Sequence, residues 1–422
     1  MNSGSESDKF SLADFFLAET DDPLVPPPDF LKWRRDVAWA ISLYEPSLGS
    51  AAEATCRLGS RSVINMASYG YLALMRHPKI IQAAKDALDQ FGTGSCGSPI
   101  LSGRTTLHDQ LESGLRLLTG QEGVLTYNSG FAGALGTVAG LLRKGDCAVL
   151  DERSHTSLVD GVRVSGARLA FFQHNDPQSL DAILTRESGK RRIVIVEGIY
   201  SMDGDMANLP ALLEVAESHR VGMLVDEAHS ILCCGPGGGG VVEHFGAGQR
   251  VGIQYGTFSK GFSSCGGFAA ATPEIVDYLR FYSNPYGFSC ALPPATVAGL
   301  SAALEVVREE PWRRERLWEN ANYFRRQLHG LGLNTGDSNS YVIPIVIGDD
   351  RALLYELGHA LRDRGLFVSP VDYPSVPLEQ LRFRASVTAG HSRESLDQAL
   401  GIIADVIVPA MRSRGLLKGV QV

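Results

Sequence analysis

The chain has 422 residues, of which 39 are lysine or arginine and 47 are aspartate or glutamate, and its formal net charge is −8 at pH 7. This length indicates two or three domains, and the acidic balance excludes a general nucleic-acid binder, which needs a basic face. No apolar run is long enough to cross a bilayer, and residues 1–15 are rich in serine and acids, so no secretory signal peptide is predicted.

Seven cysteines are scattered along the chain, with no CxxC pair and no histidine cluster at the spacing of a zinc site. An odd number of cysteines without a disulfide framework favours a reducing compartment. We therefore expect a cytoplasmic protein without a bound metal.

Residues 1–60 are expected to form an N-terminal arm. Prolines in DDPLVPPPDF impose extended or turn-like backbone. The following segment, FLKWRRDVAWAISLY, is amphipathic and aromatic. We expect it to pack on the body of the protein; the alternative is a helix that faces a membrane or a partner.

Strand and helix patterns alternate from residue 61 onward. VINMAS predicts a strand and HPKIIQAAKDALDQF predicts an amphipathic helix. Gly92, Gly94 and Gly97 then match the GxGxxG spacing of dinucleotide-binding sites, but that motif must follow a strand and open a helix. Because a helix precedes it here, we reject a nicotinamide site and expect the glycines to let the backbone approach a ligand closely.

GVLTYNSGFAGALGTVAGLL predicts a strand, a turn of small residues and a helix that begins near Gly130 and Phe131. The free N–H groups at such a helix start can hold a phosphate dianion, although a tight turn alone would explain the small residues equally well. CAVLDERSHTSLVDG predicts the next strand, with His155 beyond its end. RRIVIVEGIYSMDGD predicts another strand that ends at Glu197, with Ser201 in the following turn.

The most informative stretch is residues 221–268. Residues 221–225 predict a buried strand that ends on Asp226, three residues before His229, and a second apolar segment ends in GTFSKG at Lys260. Lysine and aspartate are rarely buried unless they are paired or catalytic. Pyridoxal phosphate (PLP) chemistry needs both, because the lysine holds the cofactor as a Schiff base and the acid keeps its ring nitrogen protonated.

VDEAHS and GTFSKG together resemble the active-site strands of the α-oxoamine synthases. This family of fold-type I PLP enzymes includes 8-amino-7-oxononanoate synthase, glycine C-acetyltransferase, 5-aminolevulinate synthase and serine palmitoyltransferase. The resemblance covers residues about 60–410 in the family's order, and the strings SYGYL, EGIYSMDGD and VDEAHS are most similar to serine palmitoyltransferases.

The resemblance implies an α/β architecture of the aspartate aminotransferase type. We expect a large PLP-binding domain at 61–294, with a mainly parallel sheet flanked by helices. A smaller α+β C-terminal domain is expected at 295–422.

The resemblance also implies roles for individual residues. Lys260 anchors the cofactor and moves the Cα proton, Asp226 pairs with the ring nitrogen, His155 lies flat on the ring and His229 donates to the phenolic oxygen. Further cofactor contacts are expected from the phosphate loop, the strand ends and the lysine segment: Gly130, Phe131, Glu197, Ser201, Thr257, Ser259 and Ser289. The expected substrate contacts are Tyr69, Arg384 and Ser375.

The expected substrate contacts carry both a match and a departure. Arg384, in LRFRASVTAGH, matches the arginine that holds the amino-acid carboxylate, a role that a bidentate guanidinium suits; the alternative is a surface charge on a strand. Where several members read SNDYLG, this chain reads SYGYLA, so Tyr69 replaces an asparagine that often lines the amino-acid pocket.

The family likeness also implies a homodimer with shared active sites. NPYGFSCALPPAT matches the segment that reaches across the dimer interface in the family, with Ser289 as the hydroxyl that contacts the neighbour's phosphate. The family's Thr/Ser-rich strip is reduced here to Ser289-Cys290-Ala291.

The implied reaction is the decarboxylating condensation of a small amino acid (serine, alanine or glycine) with an acyl-CoA, which releases carbon dioxide and coenzyme A. The same residues would serve an acyl-carrier-protein donor in a secondary-metabolite pathway, an aminotransferase or an aldol-type lyase. A non-catalytic partner subunit is a further class, and the presence of Lys260 argues against it.

Overall fold

The computed structural model describes residues 21–36, 38–189 and 191–417. The chain forms two compact units. The first comprises the described parts of 1–68, 320–387 and 391–422, and the second comprises those of 69–319 and 388–390. Residues 295–319, expected in the C-terminal domain, lie in the second unit, and residues 1–20 of the expected N-terminal arm lie outside the described residues.

Helices and strands alternate through most of the described chain, as the sequence patterns from residue 61 onward predict. The helices are α1 (Pro28–Asp36), α2 (Pro78–Phe91), α3 (Thr106–Thr119), α4 (Gly130–Leu141), α5 (Thr156–Ser165), α6 (Pro177–Arg186), α7 (Leu209–Ser218), α8 (Gly240–His244), α9 (Pro273–Tyr282), α10 (Asn284–Gly287), α11 (Pro294–Glu309), α12 (Trp312–Gly330), α13 (Arg351–Asp363) and α14 (Arg393–Ser413). The strands are β1 (Thr55–Leu58), β2 (Arg61–Asn65), β3 (Gly123–Tyr127), β4 (Cys147–Asp151), β5 (Arg168–Phe172), β6 (Arg192–Glu197), β7 (Gly222–Asp226), β8 (Ile253–Thr257), β9 (Gly267–Ala271), β10 (Val342–Gly348), β11 (Leu366–Phe367), β12 (Ser369–Val371) and β13 (Leu381–Ser386).

The second unit is organised around a seven-stranded sheet with the strand order β3-β9-β8-β7-β6-β4-β5. The five strands from β8 to β5 are parallel to one another. β9 lies between β3 and β8 and runs antiparallel to both. The expected mainly parallel sheet is thus confirmed, with one inserted antiparallel strand.

The central strands of this sheet are apolar on both faces. Val149 and Leu150 in β4, Ile195 in β6, and Leu224 and Val225 in β7 are fully buried. Each such side chain contributes about 1.5–3 kcal/mol when it leaves water. These strands therefore have continuous apolar runs, whereas a sheet with one solvent-exposed face has an alternating pattern. Continuous runs are expected for parallel strands that helices cover on both sides.

The first unit contains two three-stranded sheets, β1-β2-β11 and β10-β13-β12. Part of the N-terminal arm packs within this unit on α13. The ring of Trp39 meets Tyr355 edge-on with 5.7 Å between centroids, and Arg362 donates to the carbonyl of Leu43 at 2.8 Å. These contacts agree with an arm that packs on the body.

Two glycines of the GxGxxG string, Gly92 and Gly97, have structural roles. Gly92 ends α2 with a positive φ of 79°, and its N–H donates to the carbonyl of Leu88. A Cβ at Gly97 would lie 2.9 Å from the backbone nitrogen of Gly103. The backbone of Gly97 therefore lies close to the chain's own loop, and the expected approach of these glycines to a ligand stays a prediction.

Candidate active site

Four strands of the second unit end on polar residues at one edge of the sheet. Asp151, Glu197, Asp226 and Thr257 are the last residues of β4, β6, β7 and β8. These strands are parallel, and Glu197 is the register partner of Asp226. Side chains from distant parts of the sequence therefore meet at the carboxyl edge, where open α/β sheets bind ligands.

A cleft of about 500 Å³, counted to its open side, lies at this edge and is lined by five segments of the second unit. It gathers nine of the residues that the sequence singles out: Gly130, Phe131, His155, Glu197, Asp226, His229, Thr257, Ser259 and Lys260. The other residues that line it are Ser157, Ala228 and Tyr255.

Two neighbouring carboxyl groups lie in the cleft away from water. Asp226 is 4% exposed and accepts a hydrogen bond from the Ala228 N–H at 2.8 Å. Burial raises the pKa of Asp226 to about 6, and the charge of Lys260 acts against this rise. Burial and the Asp226 charge raise the pKa of Glu197 well above its usual value. Because adjacent carboxylates repel each other, the proton stays on Glu197 and Asp226 is the group that ionises near neutral pH.

The imidazole of His155 is held neutral. His155 is the N-cap of α5, and its Nδ1 accepts from the Ser157 N–H at 3.3 Å and lies 2.8 Å from the Ser157 hydroxyl. With Nδ1 as acceptor, the ring proton is on Nε2. Burial and the charge of Lys260 lower the pKa of His155 to about 4. A neutral flat ring can lie against a cationic aromatic ring, which an imidazolium would repel.

The charge of Lys260 acts on both Asp226 and His155. Lys260 follows β8 by three residues and is half-buried. The Ser263 N–H donates to its carbonyl at 2.8 Å, which closes a turn around the lysine. Its ammonium lowers the pKa values of both Asp226 and His155, so the amine is electrostatically coupled to the carboxyl and to the imidazole.

The start of α4 and the end of β8 form a polar corner of the cleft. A Cβ at Gly130 would lie 2.3 Å from the Thr257 Oγ1, so only glycine permits this approach. The Tyr255 hydroxyl donates to the Gly130 carbonyl, and the Thr257 Oγ1 lies 3.1 Å from the Ser259 Oγ. A helix N-terminus beside two hydroxyl groups is a suitable site for a phosphate.

His229 is flanked by two tyrosines from the SYGYL string. Its Nδ1 lies 2.8 Å from the Tyr71 hydroxyl, and both residues are buried. The Tyr69 ring meets the imidazole edge-on, with 6.3 Å between centroids. Tyr69, expected at the amino-acid substrate, thus contacts a cleft residue without lining the cleft described here.

Four other predicted residues are not among those that line the cleft in the described part of the chain. Ser201 lies in the turn after β6 and Ser289 follows α10, both in the second unit. Arg384 and Ser375 belong to the first unit. Arg384 is buried in β13, so it is not the surface charge of the alternative interpretation, whereas Ser375 is exposed. The roles of these four residues stay predictions.

Ser157, Ala228 and Tyr255 line the cleft and Tyr71 contacts it through His229, and the sequence patterns indicate none of the four as site residues. Ser157 stands two residues after His155 at the start of a helix, where a capping pattern would have indicated it. Tyr255 lies within a predicted buried strand and Tyr71 precedes Leu72 and Ala73, so both resemble ordinary core residues in the sequence. Only their hydroxyl contacts in the folded chain distinguish them.

The cleft fits PLP part by part. It offers an amine for the aldehyde, a buried carboxyl for the ring nitrogen, a neutral imidazole for the ring face and a helix start for the phosphate. Glu197 Oε1 is buried and has no hydrogen-bond partner among the described residues, so the cleft retains polar capacity for a ligand. The part of the chain that the structure describes contains no group of three or more histidine, cysteine or acidic side chains that could hold a metal ion.

Comparisons with known proteins agree with this fit. The family model of aminotransferase class I and II matches residues 61–403. The chain is 37% identical over 359 residues to the 8-amino-7-oxononanoate synthase of Bacillus pumilus, which covers 85% of this chain and 91% of that one. It is 36% identical over 358 residues to the serine palmitoyltransferase of Sphingobacterium spiritivorum, with coverages of 85% and 90%.

A solved structure shows the same likeness in three dimensions. Sphingomonas wittichii serine palmitoyltransferase matches with a TM-score of 0.86 at 31% identity, over 92% of this chain and 98% of that one. The expected fold, cofactor and enzyme class are therefore confirmed. The chain belongs to the aminotransferase class I and II family and, within it, to the α-oxoamine synthases, which are fold-type I, PLP-dependent acyltransferases.

Proposed function

We propose that this enzyme condenses a small amino acid with an acyl-CoA thioester to give an α-oxoamine, carbon dioxide and free coenzyme A. Serine is the first choice of amino acid, and alanine or glycine are the others. The observation that carries the proposal is the single cleft that gathers Lys260, Asp226, His155 and the start of α4 in a chain of this family.

The cleft residues have distinct proposed roles. PLP, when bound, supplies the electron sink that makes the amino acid's Cα–H bond acidic. Lys260 anchors the cofactor and then, as a free amine, accepts the Cα proton. Ionised Asp226 holds the ring nitrogen protonated, neutral His155 covers the ring, and His229 donates to the phenolic oxygen.

The remaining predicted contacts complete this assignment. The phosphate is proposed to lie in the polar corner of the cleft, and the other cofactor contacts are proposed from around it. These residues are Gly130, Phe131, Thr257, Ser259, Glu197, Ser201 and, from the neighbouring subunit of a dimer, Ser289.

The bonds made and broken balance within the two substrates. The Cα–H bond breaks, Cα attacks the thioester carbonyl and the thiolate leaves as coenzyme A. The carboxylate carbon then leaves as carbon dioxide. The proton returned to Cα by the lysine amine gives the aminoketone.

The proposed size of the amino acid rests on Tyr69. Its ring stands against His229, where several relatives carry a smaller asparagine, so the space beside His229 suits a short side chain. Arg384 is proposed to bind the substrate carboxylate and Ser375 to contact the amino acid. The similarity to two serine palmitoyltransferases supports serine first.

The acyl donor is proposed to be a medium or long chain on coenzyme A. Each methylene buried along an apolar surface contributes about 0.8 kcal/mol, roughly fourfold in affinity. A series of acyl-CoA donors of increasing length should therefore show a falling KM until the groove is filled. A flat series, or strict preference for acetyl or succinyl donors, would contradict this part of the proposal.

The decisive experiment tests purified holoenzyme against a panel of amino acids and acyl-CoA donors, with release of both free thiol and carbon dioxide as readouts. The proposal expects the two products in equal amounts and only with small amino acids. A keto acid without thiol release would indicate an aminotransferase, and aldehyde release would indicate an aldol-type lyase. Thiol release only from an acylated carrier protein would indicate the carrier-protein alternative.

We also propose a homodimer, with support from exposed apolar side chains of the second unit. Leu101, Phe281 and Phe288 are 84%, 76% and 88% exposed. The segments that carry Leu101 and Phe288 are joined, because the Ala291 N–H donates to the Gly97 carbonyl at 2.9 Å. Contiguous exposed apolar patches mark interaction sites, and we propose that these side chains belong to one.

Localisation in the cytoplasm stays a prediction. Among the described residues, none of the helices has the length and apolar character needed to cross a bilayer. Contact of the N-terminal arm with a membrane stays the less favoured alternative.

A further inference from the structure

We infer that Tyr71 is a positioning residue that sets the tautomer of His229. The inference deepens the proposed function, because it rests on His229 as a hydrogen-bond donor to the phenolic oxygen of PLP. Tyr71 is not one of the described residues that line the cleft. It acts through His229, which does.

The contact joins two parts of the second unit that are distant in the sequence. The Tyr71 hydroxyl lies 2.8 Å from the His229 Nδ1 although the residues are 158 positions apart in the sequence. Tyr71 is 0% exposed. Its backbone is held on both sides, since its N–H donates to the Tyr69 carbonyl and its carbonyl accepts from the Ala389 N–H, each at 2.7 Å.

Imidazole chemistry gives this contact a consequence for the cleft. A neutral histidine has one donor nitrogen and one acceptor nitrogen. A tyrosine hydroxyl can donate to Nδ1 or accept from Nδ1–H, and the inference assigns Tyr71 as the donor. The ring proton is then on Nε2, and Nε2–H can donate to a ligand oxygen. With the opposite tautomer, Nε2 would present a lone pair, which an oxygen anion such as the phenolate of PLP repels.

The two tyrosines beside His229 contact it in different ways. Tyr69 contacts the imidazole through its ring, edge-on, and so limits the ring plane. Tyr71 supplies the hydroxyl. Removing the hydroxyl of Tyr71 should therefore affect the tautomer, whereas removing that of Tyr69 should not.

The test compares Tyr71→Phe with Tyr69→Phe as a matched control, in holoenzyme labelled with ¹⁵N-histidine. The ring-nitrogen shifts of His229, assigned by loss of the signal in His229→Asn, report the tautomer. We expect the parent and Tyr69→Phe to show Nε2–H, and Tyr71→Phe to lose that preference. Replacing Tyr71 with 3-fluorotyrosine, which keeps the hydroxyl, should restore it.

The absorbance of the bound cofactor against pH gives an independent readout. In Tyr71→Phe the phenolic oxygen loses one oriented hydrogen bond. The pKa read from the cofactor absorbance should therefore rise by about half to one pH unit. In the same variant kcat should fall about tenfold, with little change in the KM for the amino acid.

The outcomes separate the inference from the proposed function. An unchanged His229 spectrum in Tyr71→Phe overturns the inference, whatever the substrates are. A changed spectrum with an unchanged cofactor titration supports the tautomer assignment and removes instead the proposed contact between His229 and the phenolic oxygen.

Discussion

The buried carboxyl of Asp226 shows how a single residue acquires a conditional charge. Burial penalises the anion more than the nearby charge of Lys260 favours it, so the pKa of Asp226 rises to about 6. A protonated ring nitrogen beside it favours the anion again. Glu197, whose pKa is raised further by burial and by Asp226, takes the proton that the pair retains. The two carboxyl groups thus have different charge states because their surroundings differ.

The first prediction concerns the pH dependence of cofactor binding. As the pH falls through about 6, Asp226 becomes protonated and can no longer stabilise a cationic ring, so the dissociation constant of PLP should rise toward tenfold per pH unit. Asp226→Asn should bind more weakly at pH 7.5 and lack this contribution. The measurement is equilibrium binding of PLP between pH 5 and 7.5.

The comparison with Asp226→Asn is needed because the cofactor's phosphate also titrates near pH 6. Asp363→Asn, which changes an exposed carboxyl outside the cleft, is the control and should keep the pH profile of the parent. Identical pH profiles of the parent and Asp226→Asn would contradict the assignment of Asp226.

The second prediction concerns Lys260, whose ammonium is coupled to both Asp226 and His155. Lys260→Ala removes the cofactor anchor and the proton acceptor together, so turnover should fall on the order of a thousandfold or more. Lys79→Ala, which removes an exposed lysine paired with Glu305 and Glu309, is the control and should retain activity. Borohydride reduction followed by peptide mapping should place the pyridoxyl group on Lys260, and labelling of another lysine would refute the assignment.

At the scale of elements, the start of α4 depends on its closeness to β8. The N–H groups at a helix start attract an anion only if a ligand can approach them. Gly130 permits the helix start to lie against Thr257, and the Tyr255 hydroxyl holds the Gly130 carbonyl from the neighbouring strand. Strand and helix therefore shape the polar corner together.

The third prediction follows from this packing. In Gly130→Ala the new methyl group would meet the Thr257 Oγ1 at 2.3 Å, so the start of α4 must move away from β8. Such overpacking costs about 1–3 kcal/mol. A loss of this size in binding free energy should weaken PLP binding about ten- to hundredfold. Spectrophotometric titration of the apoenzyme with PLP measures the loss.

Gly401→Ala is the matched control for this prediction. Gly401 also lies in a helix, α14, but a Cβ there meets nothing within 4 Å. Alanine should stabilise that helix by about 1 kcal/mol and leave PLP affinity unchanged. Equal PLP affinity in the two variants would contradict the proposed phosphate corner.

At the scale of the whole molecule, the exposed apolar side chains on the 97–103 loop, α9 and the segment after α10 require an explanation. A monomer would keep Leu101, Phe281 and Phe288 in contact with water, at a cost proportional to their apolar area. A second copy of the chain is the proposed cover, in line with the expected role of Ser289.

The fourth prediction tests this dimer. Phe281→Asp should shift the chain from dimer toward monomer at micromolar concentration and lower activity in parallel, because the shared sites separate. Val164→Asp, at an exposed position on α5, is the control and should stay dimeric. Analytical ultracentrifugation measures the masses, and a fully active monomer of the parent chain would refute the proposal.

The amino-acid sequence alone is enough to establish the order of elements and the chemical identity of the site. The apolar runs that lead to Asp226 and to Lys260 are local features of the sequence. Because burying a charged group costs free energy, a carboxylate or an ammonium at the end of such a run indicates a functional role. The helix start at Gly130 and the cap at His155 are likewise local, because turn and capping preferences depend on a few neighbouring residues. Because these signals are local, the sequence patterns and the family resemblance together predict nine of the residues that line the cleft.

Contacts between distant residues, in contrast, are set by the folded chain. The pairing of Glu197 with Asp226 depends on strand order and register. The approach of Gly130 to Thr257 and the bond between Tyr71 and His229 depend on how helices and loops pack after folding. Hydrophobic periodicity carries no information about which strand lies beside which, so the insertion of β9 between β3 and β8 left no mark on the pattern. Tyr71 and Tyr255 look like core residues in the sequence for the same reason: a hydroxyl gains its role only from the partner that folding brings to it.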